Sequence, residues 1–240
     1  MKMSFPIMLK NITKSIFICV VISLFTIVFS FGQSEKRKLI YSDNFEKTLT
    51  SKTWISEIAP QPNSTVTVDQ GKLILDTQGG VTVWLNRPLA GNVEINYDWT
   101  VIVAGGKNDR LSDLNQFWMA SDPENRNLFT RNGVLEAYDS LALYYVGMGG
   151  NANTTTRFRK YTGNGERVLI QEYLDKEHLL MPNHTYRIKI IVKNGVSEFW
   201  VDGEKFFFYK DAAPLTKGYF GFRSTKSRHF IDNFRVYQLE

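Results

Sequence analysis

Three dipeptides, Gln70-Gly71, Asn194-Gly195 and Asp202-Gly203, constrain this chain most, because each lies between two runs of β-favouring residues. Asn-Gly and Asp-Gly are favoured two-residue hairpin turns, since both central residues must take positive φ. The flanking runs TVTVD and KLILD, HTYRIKIIVK and VSEFWVD, and VSEFWVD and KFFFY are therefore expected to pair as antiparallel neighbours. Further strand signals are VTVWLN, VEINYDWTVIV, LALYYVG, GYFGF and FIDNFRVYQL. No segment longer than about ten residues keeps a helical period, and the best, LDKEHLL from Leu174, allows a turn or two. Many short strands with regular turn signals predict an all-β, antiparallel sandwich or barrel.

The amino terminus reads differently. Lys2, Lys10 and Lys14 occur without an acid and precede a run from Ile16 to Phe31 that is apolar except for Ser23, Thr26 and Ser30. That is the form of a secretory signal, with Ser30 and Gly32 placing the cut before Gln33. The run is shorter than the roughly 18 to 20 apolar residues that span a bilayer, although an uncleaved anchor is the alternative and the one route to a membrane partner. Residues 1–32 are thus expected to be a signal peptide, residues 33–240 a single domain, and the product secreted or periplasmic. Cleavage would leave 26 cationic against 24 acidic side chains and remove Cys19, the only cysteine. A thiol-free, nearly neutral chain excludes disulfides and thiolate zinc and disfavours nucleic acid. His178, His184 and His229 lack metal-ligand spacing.

The segment from Asn108 to Tyr161 carries more guanidinium, amide and aromatic groups than a sandwich strand needs. In TTRFRKY, Thr155, Arg157, Arg159 and Tyr161 share one face, and residues two apart lie roughly 6.6 Å apart, near the scale of a sugar ring. Two guanidinium groups in a row can hold a uronate carboxylate, with a tyrosine hydroxyl beside it. Tyr144 and Tyr145 point to opposite faces, so at most one lines a groove. Gly147, Gly149 and Gly150 lack the following lysine and βαβ context of a phosphate loop, which rejects nucleotide binding. In NDRLSDLNQFWMASDP, Arg110, Asp113 and Asn115 are placed to bind hydroxyls and Trp118 to stack on a pyranose, with Asn151 nearby in sequence to Thr155. The bland alternatives are a solvated arginine face and a core tryptophan. Trp84 and Trp99 read as core, and Glu94, Asn96 and Asp98 as a solvated outer face.

The series GKLILD, VTVWLNRPLAGNVEINYDW, HTYRIKIIVKNGVSEFWVDGEKFFFY, GYFGFRS and IDNFRVY resembles the strand grammar of concanavalin A-like lectin/glucanase jelly rolls. NDRLSDLNQFWMASDP and YYVGMGGNANTTTRFRKY resemble a narrower, uncharacterised family of secreted proteins from polysaccharide-degrading bacteria. The resemblance implies an antiparallel β-sandwich of jelly-roll type whose relatives include lectins, glycosidases, lyases and binding modules. It also implies paired terminal strands, near which Asp43 and Asp232 are candidates for structural calcium or for a hydrogen-bonded clasp; no other cofactor is expected. The glucanase pattern E-x-D-x-x-E is absent. The leading expectation is a lyase on a uronate-containing polysaccharide or oligosaccharide. In it Arg157 and Arg159, with Arg110, neutralise the carboxylate, and Tyr161, Tyr144 or Tyr145 acts as acid and base with a pKa lowered by the guanidinium groups. The alternatives are a glycoside hydrolase using Asp113 with Glu136 or Asp139, and a non-catalytic carbohydrate-binding module.

Overall fold

The computed structural model describes residues 1–2, 36–124 and 127–240. The expected signal peptide, Cys19 and the cleavage point at Gln33 lie outside the described residues. Residues 35–240 form one compact unit, and among the described residues no helix is long and apolar enough to cross a membrane.

Fourteen strands build two layers: β1 (Arg37–Asp43), β2 (Trp54–Ile58), β3 (Thr65–Asp69), β4 (Lys72–Leu85), β5 (Leu89–Ala90), β6 (Val93–Ile102), β7 (Leu114–Ser121), β8 (Ala142–Gly149), β9 (Thr155–Thr162), β10 (Arg167–Tyr173), β11 (Thr185–Lys193), β12 (Val196–Val201), β13 (Glu204–Lys210) and β14 (Lys217–Leu239). All pairings are antiparallel. The first layer runs β10-β9-β8-β7-β14 and continues through the carboxyl half of β4 to β2. The second runs β13-β12-β11-β6-β14, with the amino half of β4, β3 and β1 beyond it. The hairpin turns fall where the sequence put them: Gln70, Asn194 and Asp202 all take positive φ. LDKEHLL yields a single 3-10 turn, Lys176–His178, in which the His178 N–H donates to the Asp175 side chain.

Two expectations change. KLILD and VTVWLN are one strand, β4, and GYFGF and FIDNFRVYQL are one strand, β14. Both pass from one layer to the other at a matched irregularity, where the unpaired Lys226 of β14, at φ 48°, stands opposite two unpaired residues of β4, Gln78 and Gly79. A bulge of this kind bends a strand without ending it.

Between the layers lies the main core, which includes Trp99, Trp118, Tyr97, Tyr144, Phe158, Phe199, Phe207, Phe222 and Phe234. Full burial of each aromatic contributes about 1.5–3 kcal/mol. Period-2 alternation sends the neighbours of these residues to the opposite face of the first layer, and there a second cluster forms: Trp84, Phe117, Leu143, Tyr145 and Tyr161, with Leu128, Tyr138 and Leu141 from the β7–β8 connection. That connection therefore folds back over part of the first layer's outer face.

Candidate functional site

The part of that face left uncovered is a cavity of about 400 Å³, within the size range of small-molecule sites. Arg223 of β14, Asn115 of β7 and Tyr145 of β8 belong to its floor, since Arg223 pairs with Asn115, and Asn115 with Gly147 two residues along from Tyr145. Arg110, Asp113, Thr225 and Asn151 line it on one side, and Val134, Leu135 and Glu136 of the β7–β8 connection on the other.

Gly147 makes the floor possible. A Cβ there would lie 2.3 Å from the Tyr145 hydroxyl and 2.8 Å from Asn115 Oδ1, so the missing side chain is the space both groups occupy. Asn115 is buried, donates weakly to Asp113 at 3.5 Å, and leaves its Oδ1 without a partner. Arg110 is immobilised: its guanidinium donates to the carbonyls of Lys226 and Thr225 and pairs with Asp113. At the cavity's edge Asn151, Ala152 and Asn153 all hold φ between 53° and 61°, a left-handed turn disfavoured by roughly 1–2 kcal/mol per ordinary residue. Asn153 offsets it by clasping Leu180 through both backbone groups, at 2.8 and 3.0 Å.

Arg223 is the unusual member. Its side chain is 2% exposed, yet no carboxylate pairs with it among the described residues. It donates to the Gly133 carbonyl at 2.8 Å and, at longer range, to Thr82 and Thr225, while its Nε has no partner. A guanidinium is charged at any working pH and costly to bury unpaired. The structure thus holds a desolvated cation at the bottom of an open cavity.

The acid of this face is spent elsewhere. Glu57 of β2 is buried and accepts from Trp84 Nε1 (2.8 Å), the Tyr138 hydroxyl (2.8 Å) and the Arg131 N–H (2.6 Å). Burial raises its pKa above the usual carboxylate range, against those three hydrogen bonds.

The residues expected from sequence divide accordingly. Arg110, Asp113, Asn115, Tyr145 and Asn151 converge on the cavity, and Glu136, one of the acids considered for hydrolysis, joins them. Arg159 lies beside it, its guanidinium 5.8 Å from the Tyr145 ring. Arg157 pairs with Glu172 of the neighbouring β10, and Asp139 pairs with Arg167. Five expectations need correction. Trp118 points between the layers, fully buried, with its indole donating to Ser197, and offers no face to a sugar. Tyr144 also faces inward, donating to Asp211 at 2.6 Å and accepting from the Leu215 N–H. Tyr161 shares the correct face but is sealed against Phe117 and Tyr145, and Thr155 is buried at the β8–β9 turn. Nor do the guanidinium groups lower the tyrosines: burial, reinforced by Tyr161 and Asp113, outweighs Arg223 and Arg159 and holds Tyr145 well above the usual phenol range, and Tyr161 is raised for the same reason.

Asp43 and Asp232 are engaged separately. Asp43 accepts from the Phe45 N–H and the Trp54 indole, Asp232 from the adjacent Asn233 N–H, and among the described residues no three His, Cys, Asp or Glu side chains gather to hold an ion. Asp43 is a clasp at the start of the fold, where β1 pairs with β14. Arg223 itself was missed, although in GYFGFRST it stands on the Gly221 and Thr225 face, opposite Phe220 and Phe222, as a lone cation in an aromatic strand.

Residues 75–234 match the model of a protein family described as Domain of unknown function (DUF6250). The chain belongs to that family. No curated protein matches it. Among solved structures it is similar to a protein of unknown function with galectin-like fold from Bacillus subtilis (20% identity, TM-score 0.70, covering 85% of this chain and 98% of that one). It is also similar to an endo-β-1,3-glucanase from Pyrococcus furiosus (12%, 0.60, 87% and 97%) and to the carbohydrate-binding module CBM66 from Bacillus subtilis (14%, 0.54, 78% and 96%). At such identities the likeness establishes the fold, a concanavalin A-like jelly roll, and the chain spans nearly the whole of each relative.

Proposed function

We propose that this DUF6250 member is an exported carbohydrate-active protein whose cavity on the first layer takes a uronate residue of an acidic polysaccharide, and that it acts there as a lyase. The observation that carries the reading is Arg223, a buried guanidinium with no carboxylate partner among the described residues, lining a cavity whose floor also carries the Tyr145 hydroxyl and the Asn115 side chain, groups that suit sugar oxygens. The glucanase and the carbohydrate-binding module of the same fold support a saccharide ligand. Export rests on the apolar amino-terminal run, with residues 33–240 as the mature domain.

The chemistry follows from protonation states. Arg223 and Arg159 neutralise the substrate carboxylate, which acidifies the adjacent C5–H. Tyr145, protonated because it is buried, is the proton donor. Glu136 lines the cavity without an ion-pair partner among the described residues and takes the C5 proton. The C5–H electron pair becomes the C4=C5 double bond, the C4–O pair leaves with the glycosidic oxygen, and that oxygen takes the phenolic proton. A hydrolase is the second reading, favoured by one observation: Asp113 and Glu136 line the same cavity and supply the two carboxyl groups hydrolysis needs.

Incubating the mature domain with alginate, polygalacturonate, hyaluronan and neutral glucans, while following ultraviolet absorbance and reducing ends, decides between them. New ends with absorbance are expected. Ends alone identify a hydrolase, retention without ends a binding module, and indifference to every polymer refutes the proposal.

A further inference from the structure

The cavity is closed at one end. Along the floor, the row from β8 through Asn115 and Arg223 leads next to β4 at Thr82 and Gly80. There the β7–β8 connection lies directly on the sheet: a Cβ on Gly80 would sit 2.1 Å from the Gly133 carbonyl oxygen. From the other side, a Cβ on Gly133 would sit 2.5 Å from the Gly80 carbonyl, 2.7 Å from the Ala59 nitrogen and 2.8 Å from the Glu57 carbonyl. Gly133 holds φ 81°, a conformation glycine adopts freely. Backbone rests on backbone across the β2–β4 ladder, with no side chain that could swing aside. Arg223 fixes this stopper by donating to the Gly133 carbonyl. In the other direction the row runs on past Gly147, which has no side chain, to Arg157 of β9, held by Glu172, with Arg159 one pair along opposite Tyr145 and the exposed Asn151 at the cavity's edge.

We propose that the site recognises the terminus of a saccharide chain: the last residue seats its carboxylate on Arg223 against the Gly80–Gly133 stopper, and the rest of the polymer leaves over β8 and β9. This rests on the saccharide reading above and adds the mode of engagement. A chain passing through would have to cross the β2–β4 backbone, which is occupied. Any turnover is then exo-acting, releasing one short product size from a polymer whose bulk length falls slowly.

Chain length separates the two modes. The polymer retained most strongly in the panel above is compared with the same material hydrolysed to chains about one-tenth as long, by calorimetric titration of the mature domain. Terminal recognition is expected to leave the dissociation constant per mole of chains unchanged, so that affinity per unit mass rises about tenfold on shortening. Affinity that is constant per unit mass, and so falls about tenfold per mole of chains, overturns the proposal while leaving the saccharide reading intact; so does a product ladder of all sizes with a rapid fall in viscosity. Absence of binding to every polymer at either length overturns both.

Discussion

Replacing Arg223 by methionine distinguishes a side chain kept for a ligand from one kept for the fold. Methionine retains most of the apolar volume and removes the guanidinium. In the unliganded protein the change leaves the Gly133 carbonyl without its 2.8 Å donor, a loss of about 1–3 kcal/mol; the contacts to Thr82 and Thr225, at 3.4 and 3.3 Å, add little. Against this, a buried cation with no counter-charge disappears, and the desolvation penalty of such an ion is several kcal/mol. The two effects oppose each other, so unfolding stability should stay within about 1–2 kcal/mol of the parent, with stabilisation a permitted outcome. Binding should respond differently. A charge-assisted hydrogen bond to a carboxylate is worth about 1.5–3 kcal/mol, which at 1.4 kcal/mol per decade weakens a uronate oligosaccharide about 10- to 150-fold. Urea denaturation and calorimetric titration with the oligosaccharide and its carboxyl-reduced, neutral counterpart read the two quantities. The neutral ligand should bind parent and variant alike. Destabilisation beyond about 3 kcal/mol, with equal losses for charged and neutral ligands, would show that Arg223 is a loop clasp and refute the argument from its unpaired charge.

Four other substitutions test the assignment of faces and buried groups. Tyr144→Phe should cost about 1–3 kcal/mol in thermal or urea unfolding through the lost Asp211 and Leu215 bonds and leave saccharide turnover unchanged, whereas Tyr145→Phe, with no hydrogen bond to lose in the free protein, should abolish turnover at nearly parental stability. His229 is buried between Trp99, Ser224 and Ser227, and burial, aided by Arg110, lowers its pKa to about 3. Because the folded value lies below the unfolded one, stability present above pH 6.5 is lost as pH falls toward 3, by up to about 1.4 kcal/mol per pH unit, and urea midpoints measured across that window should show a shallower slope in His229→Gln. Glu57→Gln turns one acceptor into a donor facing Trp84, Tyr138 or the Arg131 N–H; unfolding should come about 1–3 kcal/mol earlier, and limited proteolysis should cut within residues 127–141 first.

How much of this was readable beforehand depended on whether a residue's surroundings were local in sequence. Hairpins at Asn194-Gly195 and Asp202-Gly203 are two-residue events with their own backbone chemistry, and they stand where the dipeptides do. The clustering of Arg110, Asp113, Asn115 and Tyr145 was legible because they lie on consecutive paired strands or the turn before them. Trp118 and Tyr144 misled because composition alone cannot say which parity of a strand faces the core, and a shift of one residue exchanges the faces. Gly147, whose missing side chain makes room for Tyr145, fixes that parity and with it the choice between Tyr144 and Tyr145 that alternation left open. The continuity of β4 and β14 through their bulges was hidden for another reason: a Gly-Gly pair and a Ser/Thr/Lys stretch look like turns until a partner strand carries the matching irregularity. Tyrosine activation failed on magnitude, since desolvation of a buried phenol exceeds the attraction of guanidinium groups on one side of it.

The β7–β8 connection is gripped by two buried charges of opposite sign that do not touch each other, and their different degrees of satisfaction separate structure from function. Glu57 takes three donors, two of them from or within that connection, and has no accessible oxygen left to offer a ligand. Arg223 gives that same connection one good hydrogen bond, to Gly133, has no partner at its buried Nε, and lines the cavity. If both were present only to hold the loop, burying them as a mutual ion pair would satisfy each more cheaply, since both reach the environment of Tyr138. The sheet instead separates them by strand, Glu57 on β2 and Arg223 on β14 with β4 between, and saturates only the anion. What remains is a desolvated positive site lining a cavity closed at β4, which an incoming carboxylate would neutralise and which no carboxylate among the described residues does.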